Sequence, residues 1–435
     1  MGTENTWMKN GKESRRIKVV VLGAGFAGSS FINSFKGKLK GKDRRRIDLT
    51  VIDGNSYHLF APLLYQVATG SVRDRHISAP LNTTAERKKF RFIKSTVLRV
   101  SPERNQVITT TGVVGYDYLV VALGAENNNF GIPGVEEYSV PLKSLQDGRT
   151  IRERLFNSLI PEKNALGNGV GVLSPVNFVI VGGGATGVEL AASMSDQVMA
   201  FSRKAGVRHD GINIFLLEAQ DRLVRDAPQE VSDRLMSDMA RRGVKVRLNT
   251  RIIRLGRNGV ELQNGGFIET ENVFWAAGVR NGKIITEFGG NHVEKVHGRI
   301  VVDNFLRVPA FSNVFVLGDN ALAKDATSNN PVPQTAAAAV QEGKFAGKHL
   351  ASIIGEKMNS HGFRYRDTGL MVATGSYSAV CMFPGGIILS GFGGWIIWHA
   401  VHLFKLDTVR NKISVMADWA LRDRLMRNMA GPGLN

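Results

Sequence analysis

The chain has 435 residues, enough for two or three domains with cores of their own. With 43% hydrophobic and 22% charged residues it is globular in composition, which excludes a disordered chain or a polytopic membrane protein. A formal net charge of +18 favours an anionic contact, a lipid surface or a phosphorylated cofactor; without a zinc-finger, basic-zipper or RNA-binding motif, nucleic acid is not an expected partner.

Residues 1–16 are polar and basic with no apolar core, so they read as a tail rather than a secretory signal, and a cytoplasmic setting is expected. Residues 17–28, IKVVVLGAGFAG, are a β-branched run feeding a glycine-rich turn, followed by apolar residues at helical spacing (Phe31, Ile32, Phe35). Gly23, Gly25 and Gly28 form G-x-G-x-x-G. The first glycine permits the tight turn, the second admits a pyrophosphate, and the third lets the helix pack on the strand. The pyrophosphate then sits at a helix N-terminus, where free N–H groups favour anions. The run 36–46, KGKLKGKDRRR, reads either as a solvated loop or as a contact with anionic lipid headgroups. The next apolar run, 47–52, ends at Asp53, placed to accept from a ribose hydroxyl.

The same pattern returns at 177–187, NFVIVGGGATG, with Gly182, Gly184 and Gly187, and the next strand ends at Glu218. A carboxylate there binds a ribose 2′-OH and repels a 2′-phosphate, so NADH is favoured over NADPH, with Arg222 near enough to soften the preference. This repetition predicts an α/β fold with two Rossmann-like dinucleotide-binding domains. YDYLVVALGA (116–125) reads as closing the first unit and VFWAAGV (273–279) as closing the second; NVFVLGDNA (313–321) reads as a return to the first. Two dinucleotides in one chain imply hydride transfer from a nicotinamide to a flavin.

No charged residue occurs from 368 to 404, histidine counted as neutral. Within it, 387–404 is at the lower limit for crossing a bilayer. Its glycines and histidines, with Trp395, Trp398 and later Trp419 and the basic Lys405, Arg410 and Lys412, favour an in-plane anchor over a span or a buried helix. A mixed-charge helical tail follows at 405–430. His399 and His402 share a helical face, either hydrogen-bonding a quinone or packing at an interface. The lone cysteine, Cys381, reads as a small packing residue and excludes disulfide frameworks and dithiol chemistry. No cluster with metal-ligand spacing is present, so no metal is expected.

In motif order, residues 17–350 resemble the two-dinucleotide-binding flavoproteins. The resemblance implies that Gly318 and Asp319 of VFVLGDN meet the ribityl chain of FAD, and that Ala122 and Gly124 lie near it. A narrower resemblance is to the type II NADH:quinone oxidoreductases, carried by FAPLLYQVATG (60–70), WAAGV (275–279), SYSAV (376–380) and the tryptophan-rich C-terminal stretch. That family has two glutamines four residues apart; here Gln341 is present, but the earlier position is Ala337, with Gln334 three residues further back. Basic side chains expected at Thr368 and Ser376 are also absent, so these departures bear on the quinone more than on the NADH–flavin half.

The resemblance implies an FAD-binding domain at 17–150 and 297–350, an NADH-binding domain at 151–296 inserted in it, and a membrane-anchoring region at 351–435. It further implies a homodimer on the cytoplasmic face of the cell membrane, moving a hydride from NADH to FAD and two electrons to a membrane quinone without pumping protons. Glu189, expected in the first turn of the helix after the second glycine motif and directed to where nicotinamide and flavin should meet, either assists proton delivery or stabilises that helix N-terminus. Gln341 would hydrogen-bond flavin or quinone. The rival readings are a sulfide:quinone oxidoreductase, which needs cysteines this chain lacks, a ferredoxin-type reductase, and an NADH-binding flavoprotein sensor with little turnover.

Overall fold

The structure, a computed structural model, describes residues 15–167, 175–205, 211–356 and 361–421. Most of the N-terminal tail 1–16 and the end of the helical tail 405–430 lie outside the described residues.

In chain order the elements begin with β1 (Ile17–Leu22), α1 (Phe26–Lys38), β2 (Ile47–Asp53), β3 (Arg91–Lys94) and β4 (Tyr118–Val121). They continue with β5 (Ser139–Pro141), β6 (Val176–Val181), α2 (Ala185–Ala205), β7 (Ile212–Leu217), α3 (Gln229–Arg241), β8 (Val244–Arg247) and β9 (Asn272–Trp275). After β10 (Arg307–Val308) and β11 (Phe311–Val316) come α4 (Ala336–Ile354), β12 (Leu370–Ala373), β13 (Ala379–Met382) and β14 (Ile388–Ser390). The last two described helices are α5 (Gly391–Lys405) and α6 (Val409–Ala420).

The chain divides into two compact units. The first comprises Met1–Ser56, Leu81–Ala125 and Asn281–Tyr365. Its sheet has the order β10-β11-β4-β1-β2-β3, parallel except for the β10–β11 pair. β1 pairs on both edges, and its continuous run of Val19, Val20, Val21 and Leu22 is buried, so both its faces are covered. Strand β11, from the segment read as a return to the first domain, pairs in parallel with β4. The basic run 36–46 is not a loop: α1 continues through Lys38, and Gly41–Arg45 adds a short helix. Lys36 and Lys38 in the last turn of α1 suit the negative end of its dipole.

The second unit comprises Tyr57–Pro80, Glu126–Arg280 and Arg366–Asn435. Its parallel sheet, β5-β9-β6-β7-β8, repeats the arrangement of the first: the strand carrying the glycine turn lies between the strand ending in the acidic residue and a later closing strand. The C-terminal segment joins this unit as an antiparallel meander, β12-β13-β14, on which α5 packs, with β12 against α2. Residues 387–404 therefore form no single segment. β14 takes its start, Gly391 turns the chain at φ +73°, and α5 follows. Fifteen helical residues rise about 22 Å, short of the roughly 30 Å of a bilayer's hydrocarbon core. No described helix is long and apolar enough to cross a membrane.

Candidate dinucleotide and active sites

In the first unit, Gly23 turns the chain at φ +90°, and a Cβ there would stand 2.2 Å from the carbonyl oxygen of Ala122. A Cβ at Gly28 would stand 1.9 Å from Gly23 O, whereas Gly25 faces open space. Sterics thus require the outer glycines for packing, and the middle one leaves room for a ligand. The carboxylate of Asp53 locks this turn: Oδ2 accepts from Ala24 N–H and Oδ1 from Asn55 N–H, each at 2.7 Å. No side chain caps α1 at Gly25 and its first turn holds no acidic residue, which leaves its positive end to an anion.

Behind this turn, the side chain of Asn320, 0% exposed, bonds the backbone of Gly124 in both directions, accepting from N–H at 3.1 Å and donating to the carbonyl at 2.7 Å. Asn281 and Gln334 donate to the carbonyl of Asp319, each at 3.1 Å. The Asp319 carboxylate itself makes no hydrogen bond or ion pair among the described residues. Gly318 N–H donates at 2.5 Å to Oε2 of Glu342, a carboxyl only 1% exposed. Burial pushes Glu342 up to about 8; Gly318 N–H and Arg299 oppose the rise and Asp319 adds to it. The open space at Gly25, the uncapped α1 and the unengaged Asp319 fit the pyrophosphate and ribityl parts of a flavin dinucleotide.

The second unit repeats the device. Gly182 has φ +108°, a Cβ at Gly187 would stand 1.9 Å from Gly182 O, and Gly184 faces open space. Glu218 accepts from Gly183 N–H at 2.6 Å through Oε2 and from Gln220 N–H at 2.8 Å through Oε1. Asp53 and Glu218 therefore do the same work: each fastens the residue after the first glycine and the residue two beyond itself. The Arg222 guanidinium donates to Gln229 Oε1 at 3.1 Å and to the Arg225 carbonyl at 2.6 Å, so it is engaged away from Glu218.

Glu189 lies one turn deeper in α2 than the sequence suggests, and the first turn of that helix has no acidic residue. It does not cap the helix; it is buried, and it lines a cavity of about 320 Å³ with Tyr65, Asn127, Lys143, Thr186 and Trp275. Burial drives its carboxyl up to about 8, opposed by Ala373 N–H, which donates to Oε1 at 3.1 Å, and by the Trp398 indole. At neutral pH such a group holds a proton. Gln341 is half-buried on α4, and its neighbour Glu342, not singled out from the sequence, is the residue that meets the Gly318 turn.

His399 and His402 turn their Nδ1 atoms to the carbonyls of Trp395 and Trp398 at 2.9 and 2.7 Å. His402 also stacks on Trp398 with centroids 4.0 Å apart, and burial lowers it to about 4, which leaves it a neutral packed ring. Cys381 is buried, its thiol pushed up to about 11 by desolvation, with Sγ against Gly394 O at 3.3 Å. Among the described residues no cluster could hold a metal ion. Reasoning from the sequence missed Asn320, Glu342 and the inward face of Trp398. The adjacency of Asn320 to Asp319 and of Glu342 to Gln341 was the available signal.

Residues 17–343 match the family model described as pyridine nucleotide-disulphide oxidoreductase. A probable NADH dehydrogenase of Dictyostelium discoideum is 31% identical, over 94% of this chain and 90% of its own. A type II NADH:quinone oxidoreductase of Staphylococcus saprophyticus is 28% identical, over 85% and 90%. In fold, the chain resembles NDH2 from Plasmodium falciparum in complex with NADH (TM-score 0.78, 19% identity, 94% of this chain and 98% of that one). It also resembles the sulfide:quinone oxidoreductase of Aquifex aeolicus (TM-score 0.72, 19% identity, 91% and 92%). The chain belongs to the pyridine nucleotide-disulphide oxidoreductase family, among its type II NADH dehydrogenases.

Proposed function

We propose that this protein is an FAD-dependent NADH:quinone oxidoreductase working at a membrane surface. The observation that carries the reading is the glycine turn with its carboxylate lock, built once in each unit. Gly23, Gly25, Gly28, Asp53, Ala122, Gly124, Gly318 and Asp319 would hold FAD, and Gly182, Gly184, Gly187 and Glu218 would hold NADH. When bound, FAD supplies an acceptor for the hydride of NADH and a donor of two electrons to a quinone.

The protein's own part is positioning and proton control. Glu218 favours a free 2′-hydroxyl over a 2′-phosphate. Glu189 holds a proton within its cavity at neutral pH, available to a substrate that gains charge. Gln341 would hydrogen-bond flavin or quinone. Lone, buried Cys381 argues against sulfide chemistry, which needs cysteines that carry sulfur. The exposed apolar residues of α5 and α6 and their basic neighbours fit an anionic lipid surface, where the quinone resides. The resemblance further suggests a homodimer on the cytoplasmic face of the cell membrane, with no proton pumping.

The test is anaerobic reduction of the purified flavoprotein, then reoxidation by quinone analogues. NADH should bleach the flavin at near-stoichiometric amounts, NADPH far less readily, and a quinone should restore the colour in successive turnovers. If NADH leaves the flavin oxidised, the reading fails. A stable charge-transfer band with negligible turnover would mark a sensor. Glu218→Ala is expected to weaken NADH binding about tenfold and narrow the gap to NADPH.

A further inference from the structure

Trp398 on α5 is 0% exposed, and its indole Nε1 has no hydrogen-bond partner. Burying an N–H without an acceptor costs about 1–3 kcal/mol, so its enclosure carries information. That N–H lies close enough to the Glu189 carboxyl to favour its charged form, without a hydrogen bond to it. The ring is held by Tyr65 edge-on at 6.2 Å, by stacked His402, and by Trp419 at 6.5 Å, whose own Nε1 donates to Gln66 Oε1 at 2.8 Å.

The donor to Glu189, Ala373 N–H, ends β12, and two carboxylates fasten the turn that follows it. Asp238 of α3 accepts from Thr374 Oγ1 at 2.6 Å and Ser378 Oγ at 3.2 Å. Asp196 of α2 accepts from Ser376 N–H at 2.5 Å and Ser376 Oγ at 2.8 Å, and pairs with Arg242. The groups facing Glu189 are Thr186 on its own helix, Tyr65 and Lys143 lining the cavity, Ala373 and Trp398; behind the indole stands His402. No charged side chain is among the causes that set its proton affinity.

We propose that the C-terminal segment completes the Glu189 site: Trp398 and the clamped turn after β12 are positioning elements that enclose this carboxyl, the Ala373 N–H donating to it and the Trp398 N–H lying beside it. The inference rests on Glu189 holding a proton in the reaction. It follows that two changes at one position act in opposite directions. Trp398→Ala admits water, which favours the carboxylate; Trp398→Phe keeps the enclosure but removes the N–H dipole that favoured it.

The experiment is rapid-mixing flavin reduction by NADH in the full-length holoenzyme from about pH 6 to about pH 9, paired with infrared titration of the protonated carboxyl band. Wild type should show one limb near pH 8, lost with the band in Glu189→Gln. Trp398→Ala should move both midpoints down by about one unit or more, and Trp398→Phe should leave them in place or raise them slightly. Should Trp398→Ala fail to fold, Thr374→Val releases the Ala373 amide and is expected to raise the midpoint. If Glu189→Gln keeps the limb, the reading of Glu189 itself is wrong. If that variant loses the limb while the Trp398 and Thr374 variants titrate like wild type, the inference alone is overturned.

Discussion

Glu342 is a buried carboxyl that holds a proton at neutral pH. Its Oε2 is the acceptor for Gly318 N–H, and burial keeps its proton on to about pH 8. Glu342→Gln retains an acceptor of the same shape and should keep FAD through gel filtration. Glu342→Ala leaves Gly318 N–H unsatisfied, at about 1–3 kcal/mol, and should lose flavin measurably. Together with Glu189 it also sets a stability profile. Both folded-state values are raised to about 8 from the usual 4.5 of a free glutamate, so the native state holds two protons that the unfolded chain has released in that window. Their contribution is fully present below about pH 4.5 and is lost as pH rises towards 8, at up to about 1.4 kcal/mol per group and pH unit. Asp325, lowered to about 2, acts oppositely but below this window. The melting temperature of the FAD-saturated protein should fall from about pH 5 to about pH 8, and the slope should flatten in Glu189→Gln/Glu342→Gln. An unchanged slope would show that neither carboxyl is protonated in the native state.

At the scale of the element, the two glycine turns separate a packing demand from a ligand demand. Gly184→Val places its side chain in open space, so the fold should stand with a melting temperature near wild type while the KM for NADH rises at least about tenfold. Gly187→Ala drives a Cβ into Gly182 O and should destabilise by several kcal/mol whether or not NADH is present. Such turns are legible in sequence because a strand, three glycines and an acidic strand end lie within a few dozen residues, and local sterics dictate each. The proton-holding part of the site is less legible. Glu189 was readable as a candidate from its place after Gly187, but its burial is supplied by β12 and α5, from nearly two hundred residues further on. Glu342 escaped notice because its partner is a backbone amide that no side-chain pattern announces. The break at Gly391 was hidden for a related reason: an uninterrupted apolar stretch has the same appearance as strand, turn or helix until its partners are known.

For the molecule as a whole, the open question is what covers the outward faces of α5 and α6. Phe392, Ile396 and Phe404 on α5, the last 81% exposed, and Val409, Ile413 and Met416 on α6 recur at helical spacing and face solvent. Each is worth about 1.5–3 kcal/mol if fully removed from water, so the six together outweigh the cost of holding a protein at an interface. Lys405, Arg410 and Lys412 nearby add about 1 kcal/mol each against anionic headgroups, a term that salt screens. Cosedimentation with vesicles should therefore be strong and only partly salt-sensitive. Phe392→Ser/Ile396→Ser/Phe404→Ser/Ile413→Ser should weaken it at least about a hundredfold, while NADH still bleaches the flavin because Trp398 keeps its place on the opposite face of α5. A second copy of the chain would cover the same residues equally well, and the two cases part on one measurement. If the row meets lipid, the serine variant loses vesicle binding at unchanged mass; if it is a subunit interface, the mass halves while vesicle binding stays.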